Sequence, residues 1–245
     1  MLTGLELQKK ILNGDGFDSC HTAVFVQCVG SRIPQRPYCS KVCCTQSLKS
    51  ALSLKAKNPA MDIFILYRDL RSYGLREDLY REARDQGIKF IRYDNEKELA
   101  VRSAENGLQI TFSDQVLRRQ MVISGDLLVL ASAVVPEKNN PLAQMYKVSQ
   151  NDDGFFAEAH VKLRPNDFAT DGVFVCGLAH APKPIEESIS QAQAAASRAV
   201  TVLSALEVSV SGTVAVVDPN FCSSCGVCVE ICPYSAPQFI ENTGK

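Results

Sequence analysis

The sequence predicts an α/β protein: a parallel sheet with crossover helices, followed by a small cysteine-rich module. Three observations carry that reading. Apolar strand-like runs alternate with helical-period segments between residues 22 and 93. The run Leu127–Pro136 contains no charge, as a strand covered on both faces requires. Near residue 211 the composition shifts abruptly to cysteine and proline.

The elements follow in order. Residues 1–22 read as a helix and then a loop, with "NGDG" as a turn. "GDGFDS" offers two glycines of a dinucleotide fingerprint, but the third is absent, no strand precedes it and Asp18 would face a phosphate, so it too reads as a turn. "TAVFVQCVG" is a strand. "CCTQSLKSALSLKAK" has helical apolar spacing and ends before Pro59. "MDIFILYRD" is a buried strand, "REDLYREARDQG" a short helix closed by Gly87, and "IKFIRY" the next strand. At the end of "MDIFILYRD" and before that helix, "YRDLRSYG" offers Arg68, Arg71 and Tyr73 near a strand end, where an exposed face is the commoner reading for the arginines. Strands alternating with helices imply a parallel sheet with crossover helices. Two further strands are expected, "LQITFSD" and "RQMVISGDLLVLAS". After Pro136 comes a loop and short-helix region. "DGVFVCGLA" then reads as a strand and "PIEESISQAQAAASRAVTVLSALE" as a long helix. The expected organisation is a parallel α/β domain over 1–135, a segment over 136–210 and a small module over 211–245.

At 245 residues, with 46% apolar and 22% charged side chains, the chain can bury a full core. A net charge of -1 with no basic block argues against nucleic acid. No apolar run reaches the roughly 18 residues of a membrane span. "MLTGLELQKKIL" lacks the basic and apolar regions of a signal peptide. The cytoplasm is the expected compartment. Eight of the ten cysteines lie in two clusters, Cys28 to Cys44 and Cys222 to Cys232. Clustered thiols in a reducing compartment point to metal rather than disulfides, while Cys20 and Cys176, each alone, suit a core.

Cys222, Cys225, Cys228 and Cys232, followed by Pro233, have the spacing of a ferredoxin 4Fe-4S run. Two intervening residues let a loop wrap one corner of a cubane. Gly226 permits close backbone approach, and Pro233 turns the chain away after the last ligand. A zinc site would use two separated pairs instead. Cys222, Cys225 and Cys228 are expected to converge on one cluster, with Cys232 turned toward the space of a second. In two-cluster ferredoxins the fourth cysteine serves the other cluster, and no partner run lies in the thirteen residues after Cys232. A missing segment or partner completes the site, or a local rearrangement makes a single cluster.

Cys28, Cys39, Cys43 and Cys44 admit three readings: buried core thiols, a redox pair, or ligands of a second cluster. Core packing suits adjacent Cys43 and Cys44 poorly, because neighbours near a helix start point in different directions. A cluster fits best, with Cys28 at a strand tip, the other three in the loop and first helical turn, and the helix N-terminus facing an anion.

"FVQCVGSR…PYCSKVCC", "YRDLRSYGLREDLYREARDQGIKFIRY", "TDGVFVCGLAHAPKPIEESISQAQAAASRA" and the ferredoxin run together resemble the heterodisulfide reductase A-subunit family, an iron–sulfur flavoprotein family, over nearly the whole chain. The resemblance implies a thioredoxin-reductase-like, flavin-reductase-like parallel-sheet core with a ferredoxin-like C-terminal module. It implies a 4Fe-4S cluster on Cys28, Cys39, Cys43 and Cys44, close to a flavin. The segment from Asp171 looks like the second flavin-contacting segment of such proteins, with a strand ending at Gly177, His180 and Lys183 following, and a helix starting near Ile185. These four residues are the candidate FAD contacts. Many relatives have Asp after the glycine; Leu178 stands here. The diphosphate fingerprint is absent, so the chain resembles the C-terminal part of such a protein, from a split gene or a fragment, and a separate N-terminal polypeptide is expected to share the FAD. Nicotinamide binding is not expected. The function implied is electron transfer within a heterodisulfide-reductase-like complex, from a hydrogenase, formate dehydrogenase or ferredoxin donor. No acid–base catalytic group is visible. The alternatives are a ferredoxin-like adaptor or scaffold that does not bind flavin itself, and a thiol or zinc protein.

Overall fold

The computed structural model describes residues 1–93, 99–104, 107–137, 140–207 and 214–240. The chain divides into two compact units, Met1–Val134 and Val135–Lys245.

The first unit is built on a five-stranded, wholly parallel sheet. A two-residue strand β1 (Leu2–Thr3) leads into helix α1 (Gly4–Leu12). A capping box starts that helix: Glu6 N–H donates to Thr3 Oγ1, and Thr3 N–H donates to Glu6 Oε2 at 2.7 Å. Strand β2 (Thr22–Val29), helix α2 (Cys43–Lys57), strand β3 (Asp62–Tyr67), helix α3 (Glu77–Asp85) and strand β4 (Lys89–Arg92) follow as crossovers. A meander of β5 (Ala100–Ala104), β6 (Gly107–Asp114) and β7 (Arg119–Gly125) then forms a separate antiparallel sheet. Strand β8 (Leu127–Ser132) returns to the parallel sheet, whose order is β1-β8-β2-β3-β4.

Strand alternation sorts the core into two layers. Phe25, Ile63, Ile65 and Val129 face the helices and pack with Leu7, Leu48, Ala51 and Leu54. Val24, Val26, Leu66 and Leu128 face the other way and pack on Ile110, Phe112 and Ile123 of the meander. The sheet is therefore covered on both faces, which explains the uncharged run of β8.

Two expectations change. "RQMVISGDLLVLAS" is two strands in two sheets, because Asp126 breaks it. The Asp126 carboxylate accepts from His21 N–H at 2.7 Å and Thr22 N–H at 2.9 Å, tying the corner to the start of β2. β5 has no apolar alternation to betray it: all five of its residues are exposed.

In the second unit, α4 (Pro141–Met145) and α5 (Ile185–Leu203) are the helices before the cysteine-rich end, where α6 (Val227–Ile231) is a single turn. The expected strand "DGVFVCGLA" does not form. Its backbone is satisfied locally instead: Val175 N–H donates to Asn166 O, Phe168 N–H donates to Val173 O, and Gly177–Ala179 close a 3-10 turn. Asp167, 3% exposed, holds α5 through a forked pair with Arg198 at 3.1–3.2 Å. The domain boundary expected at residue 211 falls on 208–213, outside the described residues. No described helix is long and apolar enough to cross a membrane.

Candidate iron–sulfur site

Cys28 lies at the C-terminal end of β2, where the register with β8 shifts between Val26 and Val29. Its backbone is left-handed, φ 61°, as is that of Arg32 at 59° and Lys41 at 56°. Among the described residues, seven non-glycine positions have positive φ, and five of them lie in or just beside the two cysteine clusters, Ser224 and Ser235 being the other two. Such strain persists only where surrounding structure imposes it.

The loop from Gly30 to Val42 is held rigidly. Arg36 Nε donates to Gly30 O at 2.6 Å, Tyr38 Oη donates to Val134 O at 3.0 Å, and buried Ser40 accepts from Val134 N–H at 2.9 Å. This brings Cys39 back toward the start of α2. Cys43 and Cys44 form the first turn of that helix and are 7% and 2% exposed, packed with Ala131 and half-buried Leu70. No side chain caps α2 and no acidic residue sits in its first turn, so its N–H groups and positive end face the thiols.

The four thiols act on one another. Cys43 donates to the Cys44 sulfur, which pushes the Cys43 thiol up and draws the Cys44 thiol down; a backbone N–H bond and the charge of Arg71, with the charge of Arg32, add to the second effect. Burial, then the proximity of Cys44, raises Cys28, and Cys39 acts on both Cys28 and Cys43 in the same direction. Arg32 donates to Asp69 at 2.7 Å and its charge acts on Cys28, and Arg68 braces the loop by donating to Arg32 O at 2.8 Å. Lys41 N–H donates to Cys39 Sγ at 3.3 Å. Thiols packed this closely and buried this deeply are poor neighbours for one another unless a cation stabilises them as thiolates. None is in a disulfide. Among the described residues no group of three or more His, Cys, Asp or Glu is arranged for a single metal ion. A four-iron cluster makes a different demand: each thiolate binds its own iron, so the sulfurs stand around a core several atoms wide. The donor set, its flanking arginines and its N–H groups fit such a cluster. A cleft of about 420 Å³, lined by Thr3, Gly4, Val42, Cys43, Ala131 and Val134 among others, opens beside Cys43.

In the C-terminal run, Ser224 and Gly226 are left-handed and Cys228 lies in α6. Local N–H groups surround the sulfurs: that of Val227, with the Ser223 hydroxyl, lowers the Cys225 thiol, and those of Ala236 and Tyr234 lower Cys232. Cys225 and Cys228 are exposed, while Cys222 and Cys232 are half-buried.

Of the four candidate flavin contacts, three meet in one network and one does not. Gly177 N–H donates to Gln191 Oε1 at 2.8 Å, and Lys183 Nζ donates to the same oxygen at 2.6 Å. Gln191 Nε2 and Lys183 Nζ approach His180 Nδ1 at 2.7 and 3.0 Å. Both are donors, so Nδ1 accepts and Nε2 carries the proton directed at Glu158 Oε2, 2.8 Å away. Partial burial works against ionised Glu158, but its own N–H, the His180 bond and the charge of Lys183 hold it below the usual carboxylate range. Lys183 is 8% exposed; Ile185 is 76% exposed and takes no part. Glu186 and Glu187 fill the first turn of α5, and their charge disfavours a phosphate there. Gln191 and Glu158 carry no signal in the sequence, being bland helix and loop residues; Gln191 lies within α5, eight residues beyond Lys183, which precedes the helix. Arg71 is exposed, as "YRDLRSYG" suggests, yet its charge reaches Cys44; Arg68 is half-buried instead, because its guanidinium turns in to Arg32 O.

Residues 215–238 match the 4Fe-4S binding domain family. The chain is 42% identical over 226 residues to one of the iron-sulfur A-subunits of the CoB–CoM heterodisulfide reductase of Methanopyrus kandleri, covering 90% of this chain and 34% of that protein. It is 36% identical over 251 residues to the A-subunit of the H(2):CoB-CoM heterodisulfide,ferredoxin reductase of Methanothermobacter marburgensis, covering 96% and 38%. The chain thus spans little more than a third of the length of these curated relatives. Among solved structures, the thioredoxin reductase of T. acidophilum aligns with a TM-score of 0.56 at 10% identity, over 83% of this chain and 58% of that one. That likeness is one of fold: a parallel-sheet flavoprotein architecture.

Proposed function

We propose that the chain, similar over nine-tenths or more of its length to heterodisulfide reductase A-subunits, is the counterpart of part of such a subunit and an electron-transfer part of a heterodisulfide-reductase-like complex. Cys28, Cys39, Cys43 and Cys44 hold one 4Fe-4S cluster. Cys222, Cys225, Cys228 and Cys232 serve the ferredoxin-type site. Gly177, His180 and Lys183 contribute to an FAD site shared with a further polypeptide segment. The observation that carries this reading is the burial of three thiols, Cys28, Cys43 and Cys44, at the end of β2 and the start of α2, with the backbone of Cys28 held left-handed. When bound, clusters pass single electrons and a flavin exchanges one or two, with potentials set by burial and by hydrogen bonds to sulfur. This chain's part is to fix the thiolates, exclude water from Cys28, Cys43 and Cys44, and offset their charge with Arg32, Arg71 and the α2 N-terminus.

The relatives' names connect those proteins to H2, ferredoxin and the CoB–CoM heterodisulfide. Hydrogenase, formate dehydrogenase or ferredoxin donors are accordingly the proposed partners. The cleft beside Cys43 gives a redox group or partner segment a place against the thiols. The acidic first turn of α5 supports a second reading, in which the chain is an adaptor that holds no flavin by itself.

Anaerobic purification with metal, sulfide and flavin analysis tests both. About four irons per cysteine group and broad iron–sulfur absorbance are expected, with FAD retained only beside the completing polypeptide. Zinc or no metal would overturn the cluster assignment. Tight stoichiometric FAD binding by this chain alone would overturn the shared site. A completed complex with clusters but no flavin would establish the adaptor.

A further inference from the structure

Gln27 immediately precedes Cys28 in the central strand β2. Its side chain is fully buried, at 0% exposure, and neither its Oε1 nor its Nε2 has a hydrogen-bond partner. Its main-chain carbonyl accepts from Tyr93 Oη at 2.6 Å. A buried carboxamide without partners bears the full desolvation cost of each orphaned group, which an apolar side chain of similar size would not. Buried polar atoms left in this way call for a ligand or a bound group to satisfy them.

The strand's alternation gives the direction. Ala23 and Phe25 face the helix layer with Leu48, Ala51 and Leu54, whereas Val24, Val26 and Val29 all pack on the meander side; the register shift between Val26 and Val29 therefore leaves Gln27 and Cys28 together between two residues that face the meander, turned toward the helix layer as the extra pair of a bulge is. α2 runs back antiparallel to β2, as a crossover between parallel strands must. Its first turn, with buried Cys43, Cys44 and Ser47, therefore lies over the end of β2 that carries Gln27 and Cys28.

We propose that Gln27 is a positioning residue for the cluster held by Cys28, Cys39, Cys43 and Cys44, its carboxamide N–H donating to a cluster sulfur or a ligating thiolate. The inference rests on the cluster reading above. A hydrogen bond to sulfur stabilises the reduced, more negative cluster, so Gln27 raises its potential.

The test uses the full chain, reconstituted anaerobically with iron and sulfide, in a Cys222→Ser/Cys225→Ser/Cys228→Ser background that leaves one cluster to observe. Iron content is compared with and without Cys28→Ala. Loss of iron with Cys28→Ala upholds the cluster reading; unchanged iron sinks it, and the role of Gln27 with it. Gln27→Leu and Gln27→Met are then compared with the parent. Unaltered iron, a more negative midpoint potential in a spectroscopically monitored titration, and loss of the deuterium-sensitive shift in the Fe–S stretching bands are expected. The metal-free variants should also unfold at higher urea, because the orphaned carboxamide is gone. Unaltered iron with an unchanged potential and unchanged Fe–S bands would overturn the proposal while leaving the cluster intact. A fall in the urea midpoint of both metal-free variants would also overturn it, by placing the amide's partner within the protein.

Discussion

Replacing Gln191 with Leu removes the side chain on which Gly177, His180 and Lys183 converge. Three hydrogen bonds go: those from Gly177 N–H at 2.8 Å and Lys183 Nζ at 2.6 Å, and the one to His180 Nδ1 at 2.7 Å. Two are between neutral groups and are worth about 1 kcal/mol each; the third involves an ammonium and is worth about 1.5–3 kcal/mol. Lys183 keeps its contact with His180 at 3.0 Å, which reduces the total. The expected loss is about 3 kcal/mol. With a urea m-value of about 2 kcal/mol/M, the midpoint should fall by about 1.5 M. Gln193→Leu, two residues along on the exposed side of α5, is the control and should change stability by no more than about 0.5 kcal/mol. FAD retention by the completed complex should fall with Gln191→Leu and not with Gln193→Leu. If Gln191→Leu shifts the midpoint no more than the control does, the network does not organise this segment and the reasoning fails.

Leu48→Ala, at a fully buried position four residues after Cys44, should cost about 2–5 kcal/mol in urea unfolding and lower iron retention at the first cysteine group, because it loosens the helix that presents Cys43 and Cys44. Cys225→Ser should remove iron from the C-terminal run and leave the signal of the cluster at Cys28 to Cys44 in the reduced-state magnetic resonance spectrum; an unchanged spectrum and iron count would contradict the assignment. Glu158 has a folded-state pKa below its unfolded one, so its contribution is complete above the unfolded value of about 4.5 and is lost as pH falls through the folded value. Glu158→Gln should therefore flatten the decline of stability with acid below about pH 4.5 and be visible in urea midpoints taken across that range.

Local chemistry is written in the order of the residues. The spacing of Cys222, Cys225, Cys228 and Cys232 is that of a 4Fe-4S run, and residues 215–238 match that domain family. The periods of β2, α2, β3 and α3 are legible because each is set by residues two to four apart, and α5 begins at Ile185 where Pro184 marks its start. Pairings between distant residues belong to the folded chain. β8 inserts between β1 and β2, and β7 leaves it for another sheet, because Asp126 bonds the backbone at His21 and Thr22, more than a hundred residues earlier. Residues 173–175 have a strand-like composition but lie outside a sheet, since Asn166 and Phe168 meet their backbone groups first. Gln27 resembles any polar residue beside a cysteine until burial leaves its amide without a partner. Gln191 joins Gly177, His180 and Lys183 only once α5 is docked on its loop. Periodicity is a property of neighbours in sequence, whereas a hydrogen-bond partner is chosen by whatever the fold brings within about 3 Å.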